Sequence, residues 1–445
     1  MSPERAAILQ TVAVRVSLHG MAYGGAAVGR LEDGPVVFVP GGLQDETAEI
    51  AVLERRRNFA RGRLLRVLEP AKNRTEPPCV HFREGCGGCQ WQHATYGAQL
   101  AFKQQILADQ LRRTGGIADP PLQEPVPSPQ CFQYRNVAEF HLGPEGMGFH
   151  REGTHELVDI KSCPLVEPPI DAALGVVRTF RPKLDAVGSI QIRNGAGVLQ
   201  ITLVTDADPR GYRLLGADLG ERAEQAAGKP VRVAGVRAAS DRMRGLRGEP
   251  WIHMQLAGRR FRVSALSFFQ VNSLVAEVLA QRVAEHVRSG ERVLDLFSGV
   301  GIFALLAADK AGEVVGVESH PAALADAAAN TAEAGAENAR FVQSDVAAAS
   351  ALVAEPWDLA ILDPPRAGVT RNVLEALDAG RVVYVSCDPS TLARDLKVLR
   401  ARGYSLESVQ LLDMFPQTYH IETVAVLTHG GPKLVAAPRS AAGER

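Results

Sequence analysis

The sequence predicts an α/β chain in three parts: a doubly wound parallel sheet in the last third, a small OB-like β-barrel at the start, and a β-rich unit between them. Beyond residue 290, apolar strand-like runs alternate with helical patterns, as in a sheet covered on both faces by helices. Before residue 70, five short strand candidates are punctuated by glycines, the pattern of a compact barrel. With 445 residues the chain also exceeds what one ordinary core organises, so two or three domains are expected.

Composition narrows the class. Hydrophobic residues at 46% and charged residues at 22% describe a globular chain rather than a disordered one. There is no secretory leader pattern and no apolar run long enough to span a bilayer, so a cytoplasmic protein with no membrane partner is expected. The net charge of -1 gives no global sign of nucleic acid, yet Arg55, Arg56, Arg57, Arg61, Arg63 and Arg66 fall within a dozen residues. That run is either a solvated charged face or a phosphate-contacting surface, and planar guanidinium suits the second.

Taken in order, the barrel strands are Val12 to Leu18, Ala27 to Leu31, Pro35 to Val39, Glu46 to Glu54 and Arg63 to Leu68. The Arg run lies on the fourth and fifth, and small barrels of this kind often bind oligonucleotides. Next, Cys79, Cys86 and Cys89 fall within eleven residues beside paired glycines, and Cys163 follows just before Pro164. In a cytoplasmic chain such thiols read as a metal site rather than disulfides. Four Cys ligands fit tetrahedral zinc or an iron-sulfur cubane, and a structural or RNA-positioning role is expected. Residues 96–114 have helical spacing, with Leu100, Phe102, Ile106, Leu107 and Leu111 on one face and Gly115-Gly116 as the stop. This helix is expected to pack on the last unit. The Pro-rich residues 120–130 read as a linker.

The middle unit offers strands at Ala138 to Leu142, Met147 to His150, Glu156 to Ile160, Ser189 to Arg193, Leu199 to Val204 and Arg232 to Ala238, with a hairpin signal at Asn194-Gly195. It shows no catalytic constellation. A helix over Ser273 to Val287 then leads into the doubly wound part. Its strands are Arg292 to Phe297, Val314 to Val317, Arg340 to Gln343, Asp358 to Leu362, Val382 to Val385, Leu406 to Leu412 and Thr423 to Thr428. Helices are expected over Ile302 to Ala308, Pro321 to Ala334 and Ser390 to Ala401. The domains expected are 8–70, 71–262 and 263–430, with a disordered tail over 431–445.

In open α/β sheets ligands bind beyond the carboxyl ends of the strands. Gly299 and Gly301 form a loop after the first strand, and Glu318 ends the second. Such a loop lets the backbone approach a nucleoside, and a strand-two carboxylate can accept both ribose hydroxyls. Because position 304 is Ala, the full dinucleotide fingerprint is absent; S-adenosylmethionine fits better, with NAD as the alternative. Asp363-Pro364-Pro365 ends the fourth strand, as an ordinary turn or as a carboxylate aimed at a base edge. Cys387 follows the fifth, either as an inert buried thiol or as a nucleophile. A pyrimidine accepts a methyl group at carbon 5 only after a thiolate adds at carbon 6, and a base must then remove the carbon-5 proton. Glu422 and His420 compete for that base role.

At this point the sequence resembles the RNA uracil-5-methyltransferase family over nearly its whole length. The carrying stretches are the amino-terminal part, similar to a TRAM domain, the four cysteines, Phe268-Phe-Gln270-Val-Asn272, Asp295-Leu-Phe297-Ser-Gly-Val-Gly301, Leu362-Asp363-Pro-Pro-Arg-Ala-Gly368, Val385-Ser-Cys387-Asp-Pro389 and His420-Ile-Glu422-Thr423. The resemblance implies a Rossmann-like S-adenosylmethionine-dependent methyltransferase sheet with Cys387 as nucleophile and Glu422 as proton acceptor. It implies a 4Fe-4S cluster on Cys79, Cys86, Cys89 and Cys163. It further implies that Gln270, Phe297, Gly299, Gly301, Glu318, Asp345 and Asp363 line the cofactor site. Ile302 stands where some members carry Asn, so that cofactor contact is unsupported here. The implied partner is RNA, 23S ribosomal RNA ahead of the T-loop uridine of transfer RNA, met by a monomer. A cytosine-5-methyltransferase and a non-catalytic RNA-binding assembly factor are the competing readings.

Overall fold

The computed structural model describes residues 13–32, 34–240 and 242–430. The expected tail over 431–445 and the barrel residues before 13 lie outside the described residues. Strands β1 (Ala13–Met21), β2 (Ala27–Arg30), β3 (Val36–Val39), β4 (Thr47–Arg55) and β5 (Phe59–Glu69) close into a barrel in the order β1-β2-β3-β5-β4. Period-two alternation fills it: Val16 and Leu18 on β1 and Val37 and Val39 on β3 point inward.

A short helix α1 (Val80–Arg83) and the long α2 (Tyr96–Arg113) follow. Helix α2 buries Phe102, Ile106, Leu107 and Leu111, each contributing about 1.5–3 kcal/mol of apolar burial. These side chains join barrel residues and Leu294, Val315 and Leu396 of the last unit in one apolar cluster. The barrel, α2 and one face of the last sheet therefore share a core. The Pro-rich segment over 120–130, expected as a linker, is instead bonded along a sheet edge: Gln123 N donates to Val409 O at 2.9 Å and Val126 N to Leu411 O at 2.8 Å.

The central unit holds β6 (Val137–Gly143), β7 (Gly146–His150), β8 (Leu157–Asp159), α3 (Pro168–Phe180), β9 (Val187–Asn194), β10 (Leu199–Thr205), α4 (Arg213–Ala227), β11 (Val231–Arg237) and β12 (Arg242–Arg247). Its sheet runs β12-β11-β10-β9-β6-β7-β8. The two helices were not expected, and they cover the sheet's apolar face with Ile170, Leu174, Val177 and Leu219. The hairpin of β13 (Trp251–Leu256) and β14 (Arg259–Ser264) packs Ile252, Met254, Phe261 and Val263 into the core of the last unit. The expected boundary at 262 thus cuts through an element of that core.

The last unit comprises α5 (Ser273–Ala284), β15 (Arg292–Leu296), α6 (Ile302–Ala307), β16 (Glu313–Glu318), α7 (Pro321–Ala334), β17 (Ala339–Gln343), α8 (Ser350–Val353), β18 (Trp357–Leu362), α9 (Arg371–Ala376), β19 (Ala379–Ser386), α10 (Pro389–Ala401), β20 (Tyr404–Leu412) and β21 (Glu422–His429). Strand order is β17-β16-β15-β18-β19-β21-β20. The first five strands are parallel, and β21 is antiparallel to both of its neighbours. The carboxyl ends of five strands and the amino end of β21 consequently share one rim.

Candidate active site

Along that rim the strand order sets the sequence of functional groups. Asp345 follows β17, Glu318 ends β16, Phe297 and the Gly loop follow β15, Asp363 follows β18, Cys387 follows β19, and Glu422 opens β21. Gly299 and Gly301 both take positive φ, and Phe297 does so as well at 64°. That conformation is costly for a bulky residue and marks the loop as a constrained turn. A side chain at Gly301 would also meet the Phe341 ring at 2.9 Å.

Glu318 holds the loop from the next strand. Its carboxylate accepts from Gly299 N at 3.0 Å and from His320 N at 2.7 Å. Asp295, fully buried on β15, accepts from Ala304 N at 2.9 Å through one oxygen, while its other oxygen has no partner. Burial, with Asp363 and Glu318 nearby, pushes its carboxyl well above the usual range. Asp345 is exposed and accepts from Ala347 N at 2.7 Å. Gln270 is buried on the segment before α5, where Asn136 Nδ2 donates to its carbonyl at 2.8 Å.

Cys387 and Glu422 meet through strand register. Ser386 of β19 pairs with Thr423 of β21, and Thr423 Oγ1 donates to Ser386 O at 3.1 Å. In an antiparallel ladder the next positions, 387 and 422, face one another. Burial first, then the Glu422 and Asp363 carboxyls, push the Cys387 thiol up to about 12, against the pull of Arg366. Glu422 is lifted well above its usual range by burial and by Asp363, and burial lifts Asp363 to about 7. His420 is driven down to about 3 by burial and by cationic neighbours, first among them Arg366, whose guanidinium lies 3.3 Å from Nε2. An imidazole so depressed is a poor proton acceptor, whereas a buried carboxylate is a strong one.

Two residues at this rim lie inside motifs noted in the sequence but had no role assigned to them. Asp388 caps α10, accepting from Ser390 N at 2.9 Å and Thr391 N at 3.0 Å, and its other oxygen accepts from the hydroxyl of Tyr23 at 2.9 Å. Arg366 sits within the Asp363 motif, and only its proximity to His420 and Cys387 marks it as part of the site.

Comparison with known proteins places this geometry. Residues 251–430 match the model of the tRNA (uracil-5-)-methyltransferase family, and residues 8–65 match that of the TRAM domain. An RNA methyltransferase of Thermosynechococcus vestitus is 34% identical over 94% of this chain and 98% of its own length. One from Halalkalibacterium halodurans is 32% identical over 96% and 99%. The chain belongs to the RNA (uracil-5-)-methyltransferase family. Among solved structures, the Pyrococcus abyssi tRNA (uracil-54, C5)-methyltransferase in complex with S-adenosyl-L-homocysteine matches with a TM-score of 0.72 and 27% identity, covering 93% of this chain and 99% of that one. This methyltransferase is thus an S-adenosylmethionine-dependent enzyme acting on RNA, and the family match begins at residue 251, where the β13–β14 hairpin begins. No helix among the described residues is long and apolar enough to cross a membrane.

The four cysteines of this methyltransferase line one cavity together with Phe82, Phe149 and Leu165. Among the described residues no three His, Cys, Asp or Glu side chains already have the geometry of a metal site. The surroundings nevertheless suit anionic sulfur. Arg135 lines the same cavity with its Nε unpartnered, and Gly88 N donates to Cys86 Sγ at 3.4 Å. Burial raises the Cys86 thiol to about 11, Cys89 to about 12, and Cys163 upward. Burial of this kind disfavours free thiolates, and a bound cation is what would favour them.

Proposed function

We propose that this methyltransferase methylates carbon 5 of a uridine in RNA, 23S ribosomal RNA first, as a cytoplasmic monomer, through a transient bond from Cys387 to carbon 6 of the base. The observation that carries the reading is the register of β19 against β21, which seats Cys387 opposite Glu422 beside Asp363. The Cys387 thiol gives up its proton to solvent as its sulfur forms the bond to carbon 6, and the electron pair displaced makes carbon 5 nucleophilic. S-adenosylmethionine supplies the methyl group that carbon 5 takes, leaving S-adenosylhomocysteine. Glu422 then accepts the carbon-5 proton, the carbon-sulfur bond breaks, and the departing Cys387 thiolate regains a proton from solvent. The net products are 5-methyluridine, S-adenosylhomocysteine and one proton.

On the cofactor side, Gly299, Gly301, Phe297 and Glu318 would hold the nucleoside, with Asp363 between it and the base and Asp345 and Gln270 at the margins. A base in a folded stem must be flipped into the pocket at a cost of a few kcal/mol. The barrel supplies part of the binding. Arg61, Arg63 and Arg66 face outward on β5, although Glu49 and Glu54 already pair with Arg66 and Arg56 at 2.7 Å. Transfer RNA is the second reading, supported by the P. abyssi enzyme.

Labelled S-adenosylmethionine with bulk ribosomal and bulk transfer RNA from cells lacking the enzyme tests both targets. Transfer to no uridine in either would overturn the assignment, and Cys387→Ala is expected to abolish transfer and any covalent RNA adduct. We further propose that Cys79, Cys86, Cys89 and Cys163 hold a 4Fe-4S cluster of structural role. Anaerobically purified protein is then brown with iron and sulfide bound, and Cys89→Ser loses both; stoichiometric zinc in fresh protein would replace this assignment.

A further inference from the structure

The barrel reaches the reacting thiol's own loop. Tyr23 sits at the tip of the turn joining β1 and β2, where Gly24 and Gly25 both take positive φ. Its hydroxyl donates to Asp388 at 2.9 Å, and its ring meets the Tyr419 ring edge-on, 5.5 Å between centroids and 89° between planes. Asp388 directly follows Cys387, and Tyr419 lies three residues before Glu422. The turn itself is seated on the last unit: Trp91 Nε1 donates to Gly25 O at 2.9 Å, and Gln417 O accepts from Trp91 N at 3.0 Å. A side chain at Gly25 would crowd Gln90 at 3.1 Å and Tyr419 at 3.3 Å, so the approach is close.

We infer that Tyr23 is a positioning residue, by which the docked barrel fixes the Cys387 loop against the Glu422 loop. The division of labour at Asp388 makes this specific. One carboxylate oxygen caps α10 through Ser390 N and Thr391 N, and the other is left for Tyr23. Without the hydroxyl, Asp388 keeps its cap and its backbone bonds with Ser386 and Thr391 but loses its one side-chain tether to the barrel, which loosens the residue next to the thiol. The barrel then both grips RNA and completes the active site, so RNA seated on the barrel and a competent thiol are mechanically linked. The inference rests on the assignment of Cys387 as nucleophile.

Tyr23→Phe in the full chain keeps the ring contact with Tyr419 and removes only the donated bond. Alkylation of Cys387 by iodoacetamide, read by peptide mass spectrometry, is expected to quicken about threefold to tenfold, the range set by one ordinary hydrogen bond, with Cys131 as the internal reference. With bulk RNA that accepts methyl groups from the parent enzyme, kcat should fall by a similar factor while KM for RNA is unchanged. In an Asp388→Asn background the same substitution should add nothing, because the two groups act as a pair. Unchanged Cys387 alkylation, or a loss confined to RNA affinity, would overturn the inference and leave the barrel a simple anchor. Cys387→Ala reports separately on the nucleophile: if that variant still transfers methyl groups, the nucleophile assignment fails while the alkylation result still decides whether Tyr23 tethers the loop.

Discussion

Lys103 of α2 donates to Asp413, just beyond β20, at 2.6 Å, and neither side chain is exposed to solvent. The same ammonium donates to Phe415 O at 2.9 Å, and the second Asp413 oxygen has no partner. Burial draws the Lys103 ammonium below its usual value and Asp413 opposes the fall. Lys103→Met leaves a buried carboxylate alone, and removing one member of such a pair costs about 3–5 kcal/mol. Thermal unfolding of the single variant should show that loss, and Lys103→Met with Asp413→Leu should recover most of it.

Glu422→Gln separates the two halves of the reaction. The amide cannot take the carbon-5 proton, so turnover should fall by about 10²–10⁴ while the bond from Cys387 to RNA still forms. A protein-RNA species that survives a denaturing gel is the expected readout, and its absence alongside lost turnover would point to a role for Glu422 before methyl transfer.

Asp363 makes stability depend on pH in a direction opposite to that of a paired carboxylate. Its folded value of about 7 stands above the ordinary 3.8, so between these limits the unfolded chain has released a proton that the folded chain still holds. Stability from this group is complete below 3.8 and is lost as pH rises through about 7, by on the order of 4 kcal/mol at the plateau. In the ligand-free protein, Asp363→Asn should raise the unfolding temperature more at pH 8 than at pH 5, and a constant difference between those pH values would contradict the assigned cause.

Glu318→Ala removes an acceptor that organises Gly299 and His320 and that we propose faces the ribose of a bound nucleoside. Losing charge-assisted bonds of this kind weakens binding about 10- to 100-fold. Titration calorimetry with S-adenosylhomocysteine measures it directly, and an affinity within about twofold of the parent would remove Glu318 from the cofactor site.

The doubly wound sheet was legible because most of its strands are short, largely apolar runs that alternate with helical patterns, and every strand expected there is present. The central helices were not legible, for reasons their own residues supply. Helix α3 opens on Pro168 and Pro169, which read as a break but suit the first helical turn. Helix α4 carries Gly216 and Gly220, four apart, where side chains would strike Leu246 and Arg247; the small stripe that lets it approach the sheet also erases its apolar period. At the site, spacing alone placed Glu318, Asp363, Cys387 and Glu422 near strand ends but left two readings for Asp363 and Cys387, and the family resemblance supplied the roles. Tyr23 was not placed there, because its partner lies 365 residues away and nothing local marks it.

The Pro-rich segment over 120–130 has a consequence for behaviour in a crowded cell. Strand β20 ends its sheet, and an uncovered final strand is a template on which a foreign chain can add itself. Here the backbone groups of Val409, Leu411 and Asp413 are taken by Pro121, Gln123 and Val126 of the same chain. A fold whose last strand arrives already partnered offers intermolecular β-aggregation no starting point at that border, and the proline-rich makeup of the guarding segment keeps it from recruiting a further strand of its own.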